Sequence, residues 1–218
     1  MNIEFVFGGS FDPLHIGHFN LVKEVVCFVK EQTSSKFVFR FLPCAVPALK
    51  KRSTSSFEER SDKLKEVFTD YFKRLQLEMI VDNREFIKTD ADGRKSYTID
   101  SLRELHKEDN GVIRFFILGA DNLIAFNRWK DYLEIRNYCN LLVINRPGYS
   151  MDNWNELAES YGFKVKNNND QLLVDKKENV GQCYYLPISE VDISSSQIRE
   201  KIKNNQAVDK WLIESLKS

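Results

Sequence analysis

The residues best suited to chemistry sit in one short stretch, GGSFDPLHIGH (residues 8–18). Its two histidines are three positions apart, which on a helix places them about 60° apart around the axis, nearly on one face. Gly17 removes side-chain bulk beside that face. Gly8 and Gly9 allow a tight turn and let an anion approach main-chain N–H groups with no Cβ in the way. A helix start adds partial positive charge, so His15 and His18 there suit a phosphate whose negative charge grows during reaction. Neutral imidazoles still donate one N–H each. Capping or simple exposure is the plainer alternative for two histidines near a helix start, and the ordered glycine and histidine set weighs against it. Two further cations, Lys50 in a loop and Arg199 at a helix start, could serve the same anion.

Such a cluster needs a strand before it and a helix after it, and the chain supplies both repeatedly. Apolar runs at residues 3–7, 37–42, 75–81, 112–118 and 139–145 alternate with helical patterns near 16–30, 57–72, 99–107 and 122–136. CYYLPI (183–188) reads as a sixth strand, and residues 194–202 as a further helix. Ser56 with Glu59 has the spacing of a capping box, and Thr98 stands ahead of the Leu102 and Leu105 stripe. The strands are almost continuous in Val, Ile, Leu and Phe, as expected when helices cover both faces of a parallel sheet. The expected fold is α/β: a doubly wound, Rossmann-like parallel sheet with a ligand crevice at the carboxyl ends of its strands. Residues 1–218 read as one domain, with 183–218 carrying a phosphate-binding helix. Pro147 and Gly148 mark a turn, and residues 167–170 a polar loop.

Composition limits the partners. Lys plus Arg total 32, as do Asp plus Glu, so the formal net charge of the 218 residues is zero. No overall cationic field exists to hold a nucleic acid, and any anionic ligand must be gripped locally. No apolar run long enough to span a membrane occurs, and the opening MNIEFVFGG lacks the parts of a secretory signal. Cys27, Cys44, Cys139 and Cys183 show no metal-ligand spacing, which favours reduced thiols in the cytoplasm and no protein metal site. His106, on a Lys/Glu-flanked helix, reads as solvated.

GGSFDPLHIGH resembles the (H/T)xGH motif of the nucleotidyltransferase superfamily, and ISSSQIRE (193–200) is similar to its ISSTxIR motif, with Ser196 in place of Thr. KSYTIDSLREL (95–105), FILGADNLIAFNRWKDYLEI (116–135) and LLVINRPGY (141–149), with the pair Arg84 and Glu85, resemble the bacterial nicotinate-nucleotide adenylyltransferases over nearly the whole chain. The resemblance implies transfer of AMP from ATP to nicotinate mononucleotide, giving nicotinate adenine dinucleotide and pyrophosphate in NAD synthesis. Adenylyl transfer to nicotinamide mononucleotide or phosphopantetheine, or a non-catalytic nucleotide-binding regulator, are the alternatives. An acceptor phosphate is already anionic, so the reaction needs orientation and charge neutralisation rather than a general base. Mg²⁺ is expected to enter with ATP, held by phosphates and water.

By the same resemblance, His15, His18, Lys50 and Arg199 are the catalytic group. ATP falls to Gly8, Gly9, Ser10, Phe11, His15, Gly17, His18, Gly119, Asp121, Ser194, Ser195, Ser196 and Arg199. The acceptor falls to Thr98, Trp129, Lys130 and Arg146. An indole face suits a pyridine ring, and a helix N-terminus suits a carboxylate. A core aromatic is the plainer reading of Trp129, a helix cap that of Thr98 and Asp121, and a solvated residue that of Arg146. The family's PPHK or PPHR appears here as PALK (47–50), so Leu49 replaces a histidine. The basic run Lys50, Lys51 and Arg52 reads as a loop closing over the triphosphate, or simply as a solvated loop. The oligomeric state stays open, a homo-oligomer included.

Overall fold

The computed structural model describes residues 2–33, 35–45, 55–92, 95–149, 152–166, 180–189 and 191–213. Residues 47–52, with Lys50, and the expected polar loop at 167–170 lie outside them.

Among the described residues seven strands form one parallel sheet in the order β3-β2-β1-β4-β5-β7-β6. These are β1 (Ile3–Gly9), β2 (Phe37–Pro43), β3 (Glu78–Val81), β4 (Ile113–Gly119), β5 (Asn140–Ile144), β6 (Lys164–Lys166) and β7 (Gln182–Leu186). Between them run α1 (Ile16–Gln32), α2 (Phe57–Arg74), α3 (Arg84–Asp92), α4 (Thr98–Glu108), α5 (Ala120–Ile124), α6 (Tyr132–Ile135) and α7 (Trp154–Ser160), and α8 (Ser195–Lys203) follows β7. Succession moves outward from β1 to β2 and β3 on one side and to β4 and β5 on the other. The switch between β1 and β4 opens a crevice at the carboxyl ends of the strands.

Alternation along each strand divides the core in two. Phe5, Phe7, Phe39, Phe41, Phe115 and Ile117 face Val22, Val25 and Val29 of α1 and Leu64, Phe68 and Phe72 of α2. On the opposite face Val6, Phe116, Leu118, Leu141 and Val143 meet Ile99, Leu102 and Leu105 of α4, Leu123 and Ile135. Both sheet faces are therefore buried, which explains the unbroken apolar runs. The Ser56 and Glu59 capping box forms at the start of α2, with bonds of 3.1 and 2.7 Å.

Several elements differ from the sequence reading. The third strand begins at Glu78 rather than at residue 75, because Gln76 takes the left-handed conformation (φ 56°) and the Leu77 N–H returns to the Phe72 carbonyl. Leu75 and Leu77 pack on the core as the end of α2. The single helical stretch expected at 122–136 breaks into α5, a 3₁₀ turn at Phe126–Arg128 and α6, with Asp131 at φ 48°. Sequence periodicity missed α3, α7 and β6; the last has one apolar residue, Val165, too few for an alternating pattern.

Beneath α3 and α4 the sheet carries a buried chain of ion pairs. Glu4 accepts from Arg40 at 2.8 Å and from Arg114 at 2.9 Å, and Asp82 accepts from Arg40 at 2.6 Å and from Arg84 Nε at 2.8 Å. Arg84 also reaches Glu108 of α4 at 3.1 Å. Such chains add little net stability, but removal of one member strands its partner. Here they fix the start of α3 against β2 and α4.

Candidate active site

An open cleft of about 610 Å³, within the range of small-molecule sites, lies at the carboxyl ends of β1, β2, β4 and β5 and runs to the start of α8. His15, His18, Gly8, Gly9, Ser10, Gly17 and Gly119 line it, as do Thr98, Trp129, Lys130, Arg146, Ser194, Ser195, Ser196 and Arg199. Sequence segments some 180 residues apart thus meet in one place.

The two histidines meet through a cap rather than through helix periodicity. His15 is the extended N-cap of α1 (φ −144°, ψ 169°), and its Nδ1 accepts the Gly17 N–H at 3.1 Å. His18, at the third helical position, accepts the His15 N–H on its own Nδ1 at 3.3 Å. Their ring centroids are 3.8 Å apart. With Nδ1 of each ring used as an acceptor, the proton of each neutral imidazole belongs on Nε2. Burial lowers the His15 pKa to about 4, with a smaller push from Arg146, so His15 is a neutral donor at physiological pH.

The glycines act through close approach rather than a turn of their own. Gly8 and Gly9 continue β1, and a Cβ on Gly8 would lie 2.9 Å from the Phe116 ring. On Gly17 a Cβ would lie 2.9 Å from the His15 ring, so only glycine leaves that imidazole in place. The left-handed residue in the segment is Phe11 (φ 49°), whose ring is buried against Phe7, Phe41 and His18. Its side chain backs His18 and does not line the cleft.

The start of α8 is sewn onto this turn. Ser194 caps the helix by accepting the Gln197 N–H at 3.2 Å, and Ser195 Oγ donates to the Pro13 carbonyl at 3.1 Å. Arg199 donates to the Asp12 carbonyl and, at 3.1 Å, to Ser196 Oγ. Asn145 holds the approach to this turn with two bonds to the Ile188 backbone, 2.6 and 3.0 Å, and Asn20 donates to the Ser189 carbonyl at 2.8 Å. On the other side, buried Arg60 donates to the carbonyls of Ser10 at 2.7 Å and Cys44 at 2.8 Å. Sequence reasoning missed Arg60, Asn145 and Asn20. Nothing local marks them, since an arginine on an amphipathic helix and an asparagine after a strand read as surface.

At the far end Trp129 is half-buried, edge-on to Phe116 (5.9 Å) and tilted on Phe126 (5.1 Å). Thr98 is the first residue of α4, while Tyr97 occupies the N-cap without a side-chain capping bond. Lys130 Nζ binds Asp100 at 2.9 Å and lies over the Tyr97 ring. Asp121 pairs with Arg146 at 2.6 Å and accepts from Asn122 at 3.4 Å, and both of these partners line the cleft. Behind Thr98 lies Glu85, buried in the cleft wall with Cys44, Ser96 and Ser101, which sequence reading noted only as part of a pair. His106 is partly buried, edge-on to Tyr138, rather than solvated.

Phosphate donors gathered at the carboxyl edge of a doubly wound sheet define a nucleotide-binding α/β protein. The chain belongs to the cytidylyltransferase-like family, whose model matches residues 6–201. A Psychromonas ingrahamii relative named "Probable nicotinate-nucleotide adenylyltransferase" is 30% identical, over 93% of this chain and 86% of the relative. A Pseudoalteromonas atlantica relative of the same name is 32% identical, over 95% and 87%. The solved structure of Plasmodium falciparum nicotinic acid mononucleotide adenylyltransferase complexed with NaAD shares the fold, with a TM-score of 0.67 at 16% identity over 97% of this chain and 91% of that one.

Proposed function

We infer that this chain transfers AMP from ATP to nicotinate mononucleotide, releasing pyrophosphate and forming nicotinate adenine dinucleotide. The observation that carries the reading is the paired histidine cap, which faces the same cleft as Trp129 and Thr98. The names of the relatives support the acceptor.

In this reading an acceptor phosphate oxygen bonds to the α-phosphorus of ATP as the bond from that phosphorus to the bridging oxygen breaks, and pyrophosphate carries away the electron pair. The Nε2–H groups of His15 and His18 meet the transferring phosphate, where preorganised donors stabilise developing charge. Arg199, with the N–H groups of Ser194, Ser195 and Ser196 at the start of α8, holds the outer phosphates. The Gly8 to Ser10 backbone admits the nucleotide closely, and Gly119 and Asp121 lie toward its ribose. Trp129 stacks on the pyridine ring, Thr98 and the Lys130 backbone receive its carboxylate, and Arg146 meets a substrate phosphate. Lys50, outside the described residues, is proposed as the remaining cation of the catalytic group.

The donor set fits a nucleotide that brings its own metal, since cations, hydroxyls and N–H groups suit phosphate oxygens. Mg²⁺ entering with ATP would supply charge neutralisation at the triphosphate. Free cysteines, with Cys139 and Cys183 buried, support a cytoplasmic setting. Among the described residues no helix is long and apolar enough to cross a membrane.

Turnover with ATP and either nicotinate or nicotinamide mononucleotide tests the reading. A preference for nicotinate is expected; equal or reversed preference overturns the acceptor assignment. ATP binding without pyrophosphate release on either acceptor would leave a nucleotide-binding regulator.

A further inference from the structure

Glu85 has no part in the chemistry above, yet it is buried in the wall of the cleft. It accepts from Ser101 Oγ at 3.3 Å and hydrogen-bonds Ser96 and Cys44, and Cys44 Sγ lies 3.6 Å from Ser96 Oγ. Ser96 is two residues before Thr98 and Ser101 three after it, so one carboxyl group grips the chain on both sides of the residue assigned to the acceptor's carboxylate. Arg84, locked to Asp82 and Glu108, fixes the helix that presents it.

We propose that Glu85 is a positioning residue that determines specificity for the acceptor: through Ser96 and Ser101 it sets the first turn of α4, and its protonation state decides whether an acid or an amide is preferred there. The proposal deepens the reading above and rests on it. Burial holds the Glu85 pKa above the ordinary carboxylate range, a push that the Ser96, Ser101 and Cys44 hydrogen bonds and the charge of Lys88 oppose. The groups facing it are therefore the Cys44 thiol at the end of β2, the Ser96 and Ser101 hydroxyls, and Lys88 on its own helix, itself paired with Glu104 at 2.6 Å. Arg60, from α2, donates to the Cys44 carbonyl at 2.8 Å and adds its charge beside that thiol. The Cys44 thiol is pushed up to about 12, chiefly by burial, so it stays uncharged through the pH range of interest. A neutral Glu85 can share protons with its hydroxyl partners and tolerate a carboxylate at the start of α4. Once ionised, it repels that carboxylate and leaves an amide unaffected.

The two mononucleotides share one phosphate and one ribose, so the ratio of their kcat/KM values cancels the titrations that act on both alike, and the comparison with Glu85→Gln assigns what is left to Glu85. As pH rises and Glu85 ionises, the wild-type preference for nicotinate over nicotinamide mononucleotide should fall about tenfold, as expected for one like charge nearby in a partly screened site. Glu85→Gln, uncharged and of the same shape, should hold the low-pH ratio across the range, with its melting temperature reporting that the fold is intact. Equal pH slopes in the two proteins overturn the proposal, as does a Glu85→Gln loss that falls equally on both acceptors. A wild type that turns over neither mononucleotide overturns the proposed activity and this inference with it. One that uses nicotinate mononucleotide with a pH-independent preference overturns this inference alone.

Discussion

The two ends of the cleft are built by different means. At the phosphate end, the donors themselves are set by local caps: His15 bonds Gly17, His18 bonds the His15 backbone, and Ser194 bonds Gln197, all within three residues, while Ser195 and Arg199 tie the start of α8 to Pro13 and Asp12. At the acceptor end the constraints are long-range: Glu85 meets Ser101 sixteen residues on, Cys44 meets Ser96 across fifty-two, and Trp129 rests on Phe116 of β4. Local caps hold donors in fixed tautomers for one charge distribution, whereas a packed polar and aromatic wall can be retuned for another acceptor without disturbing them. Chemistry is thereby separated from selection.

That separation can be broken most forcefully at His18. His18→Ala should lower the rate of pyrophosphate release by roughly two to four orders of magnitude, as for loss of a preorganised donor, while the acceptor preference stays put. Circular dichroism should show the fold intact, because the lost cap bond is one among many. Near-normal turnover in the folded variant removes His18 from the mechanism, and a shift in acceptor preference breaks the division between the two ends.

His15 offers a smaller effect, on stability. Its pKa is about 4 in the folded chain, against the ordinary 6.5 once unfolded, so the unfolded state takes up the proton first as pH falls. Its contribution is complete above pH 6.5 and is lost as pH drops through 4, to a maximum of about 3 kcal/mol. His15→Asn keeps a capping acceptor and removes the titration. Denaturant midpoints compared between the two proteins from pH 7 to pH 4 should therefore converge, wild type losing more. Parallel curves would mean that the imidazole is not held neutral by burial.

The same contrast explains what could be read from the sequence. Hydrogen bonds that span three residues leave a fixed spacing, so the glycine and histidine turn, the capping box at Ser56 and the start of α8 were legible, as was the parallel sheet from its apolar runs. The direction of the Phe11 ring was not legible, because a motif position does not say which way a ring points: its left-handed backbone turns it into the core. Glu85, Arg60 and Asn145 were illegible as site residues, since their partners are brought to them only when β1 pairs with β2, β5 with β7, and α3 meets α4. Length and composition gave β6 no signal at all, because three residues with one valine are indistinguishable from loop.

Trp129 gives the smallest effect and the sharpest test of the acceptor end. Its indole is half-buried, braced by Phe116 and Phe126 on the protein side, with the cleft on the other. If the exposed face stacks on the pyridine ring, Trp129→Ala should raise the acceptor KM about tenfold, the equivalent of one aromatic stacking interaction, and leave the KM for ATP within twofold. Trp129→Phe keeps a flat face of smaller area and should recover part of the loss. A core role predicts a different pattern: a lower melting temperature, with both KM values shifted together or not at all, because Phe126 and Phe116 would relax into the space. The acceptor-only shift is what distinguishes a stacking platform from a packing residue, and its absence would return Trp129 to the core and leave Thr98 and Lys130 to hold the acceptor without it.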